Sequence, residues 1–166
     1  MINNTNRLNL RNAQRQNAAN YVSNSNGSGG SSSSSGTSSY NSYGGKGINN
    51  YTNYKKVTGT LGDDVIYNNG YGVNINASSG NDIIGSESNN VFINGGTGSD
   101  TIISKGYDVT IEGGSGNDSL ITSTSYNNVF SFGNYDGNDV ISNYGTNDTI
   151  YLKHVTSAKG FTEYAP

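Results

Sequence analysis

The chain has 166 residues, with no Cys, no Trp, 1 Pro, 24 Gly and 13 Tyr, and only 13% of its residues are charged. The lack of Cys excludes disulfide bonds and thiolate metal sites, and no apolar run approaches the roughly 18 residues of a membrane span. Hydrophobic residues make up 31%, well below the roughly 45–50% of ordinary globular chains, so the sequence predicts a thin core.

Residues 1–56 form a polar, basic region with six Lys or Arg and no acidic residue. Residues 1–22 have few apolar side chains, and we expect a basic arm with at most a short helix. Residues 23–56, rich in Ser, Gly, Asn and Tyr, have the composition of a flexible linker. The N-terminus lacks the apolar h-region of a cleaved signal peptide. Its three arginines are too few to predict nucleic-acid binding beside an acidic domain.

Residues 57–152 contain a strict repeat. One large apolar residue recurs every nine positions, with a single gap of twelve, at Ile66, Ile75, Ile84, Ile93, Ile102, Ile111, Leu120, Phe132, Ile141 and Ile150. Two residues before each of the first nine lies, alternately, an Asp or an apolar residue, at Asp64, Val73, Asp82, Val91, Asp100, Val109, Asp118, Phe130 and Asp139. The full period is therefore eighteen residues, and a short fixed period indicates a stacked solenoid. Residues 153–166 form a tail too short to assign.

Each nine-residue unit is a turn followed by a short strand. Turns such as Gly95-Gly96-Thr97-Gly98-Ser99-Asp100 supply glycines that permit a positive φ, and the next residues alternate in polarity as a strand does. We therefore predict an all-β fold, a parallel β-solenoid (β-roll) of about five 18-residue coils, preceded by a flexible low-complexity arm.

The glycine-rich units resemble the nonapeptide G-G-x-G-x-D-x-U-x of the RTX family, the haemolysin-type calcium-binding repeats, over about 95 residues. The resemblance implies a parallel β-roll with Ca²⁺ between adjacent coils. The implied carboxylate ligands are Asp64, Asp82, Asp100, Asp118 and Asp139. The implied backbone ligands lie in the turns of Gly59, Gly62, Gly80, Gly95, Gly96, Gly98, Gly113, Gly114, Gly116 and Gly137.

The Asp column has a physical need for cations. Carboxylates stacked about 4.8 Å apart repel by about 3 kcal/mol at an effective dielectric of 20, and calcium prefers oxygen ligands. We expect three to four Ca²⁺ along one edge only, because Val or Phe replaces Asp on the other, and we expect the repeat to fold on binding them. The gap of twelve leaves the register of Asp118 and Asp139 open, and Asp148 has no matching neighbour. The alternative is a metal-free solenoid whose Asp residues only shape turns, a role that Asn would fill equally well. We interpret Asp63, Asp108 and Asp136 as surface charges.

An apolar strip on one outer face predicts an interface. The residues expected to point outward there are Val65, Tyr67, Ile83, Ile103, Ile121, Val140 and Tyr151. Together with a basic arm and an acidic roll of net charge −10 (one Lys, nine Asp and two Glu over residues 57–152), the strip favours self-association, including filaments. The alternatives are that the N-terminal segment or a further domain covers it, or that it contacts a cell surface or matrix.

No catalytic constellation is present, since there is no Cys and the one His lies beyond the repeat, so we expect no enzyme activity. Two functions compete. The first is a secreted bacterial structural or adhesive protein stabilised by calcium. The second is an RTX-type accessory module for export and folding of a secreted enzyme or toxin, which the short region ahead of the repeat disfavours. The resemblance implies type I-like secretion without a cleaved N-terminal signal, and hence an extracellular or cell-surface location.

Overall fold

The computed structural model describes residues 38–40, 45–122 and 127–154, and all of their regular structure is β. Sheet A contains β1 (Ser38–Tyr40), β2 (Lys46–Asn50), β4 (Val65–Asn68), β6 (Ile83–Ser86), β8 (Thr101–Ser104), β10 (Ser119–Thr122) and β12 (Val140–Ser142). Sheet B contains β3 (Lys56–Thr58), β5 (Asn74–Asn76), β7 (Phe92–Thr97), β9 (Thr110–Ser115), β11 (Val129–Phe132) and β13 (Thr149–Leu152).

The strands alternate between the two sheets along the chain, and neighbours within a sheet are parallel, apart from β1. Ile66 pairs with Ile84, which pairs with Ile102, at a spacing of eighteen residues. Six parallel strands in each sheet make a β-solenoid of about six coils. This confirms the predicted fold class. The described residues include no helix long and apolar enough to cross a membrane.

The solenoid begins one coil earlier than the repeat suggested. β2 pairs in parallel register with β4, so that Ile48 stands beside Ile66, within the segment expected to be a linker. The strand was missed because Lys46 occupies the position that Asp64 takes one coil later. β1 then pairs antiparallel with β2 and covers the first edge of sheet A. The expected basic arm (1–22) and most of the expected tail (153–166) lie outside the described residues.

The core is a thin layer between the two sheets, as predicted. Its residues are buried almost completely, at Ile66, Ile84, Ile102 and Leu120 in sheet A and Ile75, Ile93, Ile111 and Phe130 in sheet B. Each gives its whole apolar side chain to the core, and burial of such a side chain contributes about 1.5–3 kcal/mol.

At the gap of twelve residues, the structure places a different phenylalanine in the buried column from the one that the sequence predicted. Phe130, rather than Phe132, continues the buried column, because it pairs with Ile111 on one side and Ile150 on the other. One extra residue precedes β11 and two follow it, so Ile141 returns to register beside Leu120. Asn128 therefore takes the place that Val109 has one coil earlier, and Asp139 stands level with Asp118.

Candidate metal centre

A column of aspartates lies where the chain passes from sheet B to sheet A, along an edge that we call the Asp edge. Each precedes a strand of sheet A and points into the sandwich, and the relative exposure is only 1% for Asp64, Asp82 and Asp100 and 2% for Asp118. Asp139 continues the column and is half-buried. The structure thus brings together all five predicted carboxylates, including the pair Asp118 and Asp139 whose register the sequence left open.

One oxygen of each carboxylate ties neighbouring coils together. The backbone N–H of Asp64 donates to Oδ1 of Asp82 at 2.7 Å, and that of Asp82 donates to Oδ1 of Asp100 at 2.8 Å. The same bond joins Asp100 to Asp118 at 2.8 Å and Asp118 to Asp139 at 2.9 Å. These bonds fix the orientation of every carboxylate. An Asn could accept the same bond, so the second oxygen is what distinguishes Asp here.

The second oxygen is buried without a partner in the middle of the column. Oδ2 of Asp82, of Asp100 and of Asp118 has no hydrogen-bond partner among the described residues. A buried carboxylate oxygen without a partner is costly, since it loses water and gains nothing in return. A bound proton or a bound cation would offset the cost of burying these three oxygen atoms.

Burial raises the pKa of these carboxyl groups. The pKa of Asp82 is raised from 3.8 to about 8, and desolvation is the largest cause. Repulsion from the carboxylates of Asp100 and Asp64 raises it further, whereas the hydrogen bond from the Asp64 amide lowers it. Desolvation likewise raises the pKa of Asp100, Asp118 and Asp139 to about 6. The column thus resists carrying its negative charge unless a positive charge neutralises it.

The glycine turns let the backbone approach the carboxylates. Gly80, Gly98, Gly116 and Gly137, each two residues before its Asp, have φ between 113° and 144°, which favours glycine. A Cβ on Gly95 would lie 2.4 Å from Oδ2 of Asp100, and one on Gly113 would lie 2.2 Å from Oδ2 of Asp118. The unpartnered oxygens therefore lie directly against bare backbone, which supplies carbonyl groups.

The first turn of the Asp edge has a different chemistry. Thr60 donates its backbone N–H to Oδ2 of Asp64 at 2.5 Å and its hydroxyl to Oδ1 at 2.9 Å, and the N–H of Lys46 also donates to Oδ1. Gly62 has no positive φ here, unlike its counterparts Gly80 and Gly98. Asp64 thus has partners for both oxygens, and the turn around Gly59 and Gly62 is built on hydrogen bonds.

The donor set fits a hard cation held by few carboxylates. No group of three or more His, Cys, Asp or Glu within the described ranges converges as a metal site. A cation between adjacent coils would take two carboxylates, such as those of Asp82 and Asp100, and its other ligands from turn carbonyls or water. Calcium accepts such mixed oxygen sets of six to eight ligands.

Three of the four remaining aspartates accept backbone hydrogen bonds. Oδ1 of Asp63 accepts a 2.7 Å bond from the backbone N–H of Asn81, so it does more than carry surface charge. Asp108 adopts a φ of 55°, which Asp tolerates better than most residues. The N–H of Gly133 donates to Asp136. Asp148 accepts bonds of 2.9 Å from the N–H groups of Asn128 and Gly145, one on each oxygen.

The sequence interpretation missed a buried polar column at the far end of the sheet A strands. It recurs four residues after each position of the Asp column, at Asn50, Asn68, Ser86, Ser104 and Thr122. The side chain of Asn50 donates to Oδ1 of Asn68 at 2.7 Å, and that of Asn68 donates to Ser86 at 3.2 Å. The eighteen-residue recurrence of small polar residues was the signal that could have revealed it.

The predicted outer strip is not one exposed surface. Val65, Tyr67 and Ile83 are half-buried, whereas Ile103 and Ile121 are 1% and 0% exposed and form a small cluster of their own. Val140 is 59% exposed, as expected. Tyr151 is 53% exposed but belongs to sheet B, because β13 follows β12 by one nine-residue step and consecutive strands alternate between the sheets. The expectation of an exposed strip is therefore wrong for the two isoleucines and for the sheet of Tyr151.

Comparison of the chain with protein-family models, with curated proteins and with solved structures finds no match. The resemblance to RTX repeats therefore rests on the sequence motif alone.

Proposed function

We propose that this protein is a calcium-binding β-roll of the RTX type, an extracellular, non-enzymatic structural or adhesive protein whose solenoid folds on binding Ca²⁺. The observation that carries the proposal is the column of three buried, unpartnered Oδ2 atoms, on Asp82, Asp100 and Asp118, at the glycine turns. A turn-forming role alone explains Oδ1, and only a cation or a proton explains Oδ2.

The geometry favours three ions. Each would lie between carboxylates one coil apart, in the pairs Asp82/Asp100, Asp100/Asp118 and Asp118/Asp139, whose members are linked by the amide-to-Oδ1 bonds. The pair Asp64/Asp82 is the weakest candidate, since hydrogen bonds already occupy both oxygens of Asp64. A site at ten times its Kd adds about 1.4 kcal/mol of stability, so three sites would contribute about 4 kcal/mol, a large part of the stability of a small domain.

Calcium dependence would couple folding to location. A roll with weak sites stays open where free calcium is low and closes outside the cell, where calcium is plentiful. Bacterial type I-like export, implied by the RTX resemblance, would use that difference. The proposal of an extracellular location therefore depends on the calcium sites and fails with them.

Self-association, in this proposal, uses the last coil. β12 and β13 each pair on one side only with described strands, and the last coil exposes Val140 at 59%, Ile150 at 42% and Tyr151 at 53%. Open strand edges beside apolar side chains favour pairing with a second copy. The matched test replaces Val140 and Tyr151 by Lys and compares particle mass in calcium by light scattering, with Tyr135→Lys as the control, because Tyr135 is 96% exposed and lies in a turn.

The rival function is an accessory module for export and folding of a secreted enzyme or toxin. The two functions predict different effects of calcium on the particle mass in solution. A structural or adhesive protein would fold and assemble in calcium, with assembly weakened by the two Lys substitutions. An accessory module would fold and remain a monomer at every concentration tested. If calcium produced neither folding nor binding, both functions would be excluded.

A further inference from the structure

We infer that Tyr54 and Tyr71 form an oxidative cross-linking site, at which a dityrosine bond joins the first coil (β2 and β3) to the second (β4 and β5). Both residues lie on the edge opposite the Asp edge, where the chain passes from sheet A to sheet B. Tyr54 lies between β2 and β3, and Tyr71 lies between β4 and β5. Their rings meet edge to face, with centroids 5.5 Å apart and 82° between the ring planes.

Hydrogen bonds hold the backbones of the two tyrosines beside each other. The backbone N–H of Tyr54 donates to the carbonyl oxygen of Tyr71 at 2.8 Å. The N–H of Tyr71 donates in turn to Oδ1 of Asn53 at 2.9 Å. The proximity of the two rings therefore follows from the stacking of the coils. Fixed proximity of this kind raises the effective concentration of two reacting groups.

The residues at two turn positions favour the ring contact. Tyr54 has a φ of 55°, and the equivalent positions in the next three coils, at steps of eighteen residues, hold Gly72, Asn90 and Asp108. Left-handed backbone suits Gly, Asn and Asp and is unfavourable for a bulky side chain. Gly72 leaves room for the Tyr54 ring, because a Cβ on Gly72 would lie 2.7 Å from Cδ1 of Tyr54. Backbone held in an unfavourable region clusters at functional positions.

Both rings are accessible to an oxidant in solution. Tyr54 is 76% exposed and Tyr71 is 38% exposed. The chain has no Cys and no Trp, so its 13 tyrosines are the main side chains that one-electron oxidants attack.

A second described pair of rings, Tyr51 and Tyr67, is less suited to coupling. Its centroids are 6.0 Å apart, and Tyr67 is half-buried in sheet A. Burial and the neighbouring carboxylate of Glu87 raise the pKa of Tyr67, so its phenol gives up a proton less readily.

The reaction needs hydrogen peroxide and a haem peroxidase as the external oxidant. Each phenol loses one electron and one proton, which leaves a phenoxyl radical whose spin is shared with the ring carbons ortho to the oxygen. An ortho carbon of Tyr54 then bonds to an ortho carbon of Tyr71, and the hydrogen on each of these carbons moves to the oxygen of its ring as a proton. The two rings together lose two electrons and two protons, and one hydrogen peroxide is reduced to two water molecules.

The bond would strengthen the end of the solenoid that the aspartates do not reach. Lys46 takes the position in the first coil that Asp64 takes in the second, so the Asp column does not extend into the first coil. A covalent link between Tyr54 and Tyr71 restricts the unfolded chain as a disulfide does, in a protein without Cys. Cross-linking should therefore raise the urea midpoint of unfolding in calcium.

Peroxidase treatment of the full chain in calcium, at concentrations where it is a monomer, tests the inference. The treated protein is denatured and digested with trypsin, and the peptides are sequenced by mass spectrometry. Cleavage after each Lys places Tyr54 in the peptide 47–55 and Tyr71 in the peptide 57–105. We expect these peptides to be joined between Tyr54 and Tyr71 with the loss of two hydrogen atoms. Oxidation of other tyrosines without this link would overturn the inference.

Phenylalanine variants identify the pair. Tyr54→Phe and Tyr71→Phe keep the ring and its packing and cannot form a phenoxyl radical, so each should lower the yield of the joined peptides at least about tenfold. Tyr51→Phe is the matched control, because Tyr51 lies in the same peptide as Tyr54 and is 68% exposed, and it should leave the yield unchanged. Loss of the link in Tyr51→Phe and its retention in Tyr54→Phe would assign the coupling to Tyr51 and Tyr67 and contradict the inference.

Particle mass and stability distinguish a built site from random coupling. The protein should remain a monomer as the bond forms, and a link whose yield rises with protein concentration in dimers would overturn the inference. Peroxidase should raise the urea midpoint of the natural protein and not that of Tyr54→Phe, and equal gains in both would also contradict it. The link is read from peptides and does not measure bound calcium, so the cross-linking site and the proposed calcium sites can fail separately.

Discussion

The backbone N–H of Asp82 donates a 2.8 Å hydrogen bond to Oδ1 of Asp100, one coil further along, and leaves Oδ2 of Asp100 buried without a partner among the described residues. The relationship repeats with Asp100 and Asp118. One oxygen of each carboxylate thus joins adjacent coils of the solenoid. The other oxygen makes the stability of the solenoid depend on a bound proton or cation. The predictions below separate these two roles.

Asp100→Asn should preserve the first role and remove the second. The Asn side chain still accepts from Asp82, but it carries no buried charge and contributes no carboxylate to its two pairs. At pH 8 in chelator we expect the folding equilibrium of the variant to lie about 1 kcal/mol closer to the folded state than that of the natural protein, measured as β-structure by circular dichroism, since the cost of a buried charge exceeds that of an unpaired amide. In calcium it should bind about two fewer ions by native mass spectrometry.

Asp108→Asn is the matched control for that experiment. Asp108 lies on the opposite edge at a φ of 55°, which Asn also tolerates. Its stability and calcium content should equal those of the natural protein. A loss of calcium in Asp108→Asn equal to that in Asp100→Asn would show that net charge, rather than the column, governs binding.

Asp64→Asn should behave differently from Asp100→Asn. Asp64 already receives hydrogen bonds from Thr60 on both oxygens, and an Asn amide group cannot accept the bond from the Thr60 N–H at the position of Oδ2. We expect a loss of stability of about 1–3 kcal/mol at pH 7, with the number of bound calcium ions unchanged. A drop in bound calcium would restore the pair Asp64/Asp82 as a site.

The metal-free solenoid should lose stability as pH rises. The pKa is raised in the folded state, from 3.8 to about 8 for Asp82 and to about 6 for Asp100 and Asp118. Between about pH 4 and about pH 8 the folded state holds more protons than the unfolded state. The stabilisation from these carboxyl groups is therefore complete below about pH 4 and decreases as the pH rises to about 8. Each pKa unit corresponds to about 1.4 kcal/mol, so the total is on the order of 10 kcal/mol, comparable to the whole stability of a small domain.

Calcium should reverse that trend. Binding requires deprotonated carboxylates, so the apparent affinity for calcium should rise across the same range of pH. Far-UV circular dichroism at pH 5 and pH 8, in chelator and in excess calcium, measures both effects through the amount of β-structure. Equal β-structure at pH 5 and pH 8 in chelator would contradict the buried, charge-resisting column.

The turn positions predict two opposite backbone effects. Gly98 has a φ of 125°, and a Cβ there would lie 2.0 Å from the carbonyl oxygen of Gly80, so Gly98→Ala should destabilise the protein by more than about 2 kcal/mol. Ser78 has a φ of 83°, in the position that Gly96 and Gly114 take in later coils. Left-handed backbone costs a non-Gly residue about 1–2 kcal/mol, so Ser78→Gly should stabilise by about 0.5–1 kcal/mol after the entropy cost of Gly. Chemical unfolding of both variants in calcium tests the signs.

The fold was predictable because one eighteen-residue period governs both sheets. The column of Ile66, Ile84 and Ile102 and the column of aspartates follow from spacing alone. The coil at Ile48 was not predicted, since Lys46 replaces the diagnostic Asp. Phe130 and Phe132 are both large and apolar, so spacing could not choose between them once extra residues entered the turns on both sides of β11.

The sequence predicted which aspartates form the site, but it did not predict which of their oxygen atoms receive hydrogen bonds. Sequence places Asp64 and Asp100 in equivalent positions, yet Thr60 gives hydrogen bonds to one and no described group gives any to Oδ2 of the other. Such differences depend on the conformation of a single turn. The outer strip failed for a related reason, because alternation tells which residues leave the core and cannot tell what covers them afterwards.

The most direct test of the account is a calcium titration of the full chain at pH 7.5, followed by far-UV circular dichroism and native mass spectrometry on the same samples. The account predicts little β-structure in excess chelator and cooperative folding with about three bound ions as calcium is added. A chain that shows its full β-signature in chelator and binds no calcium would contradict it.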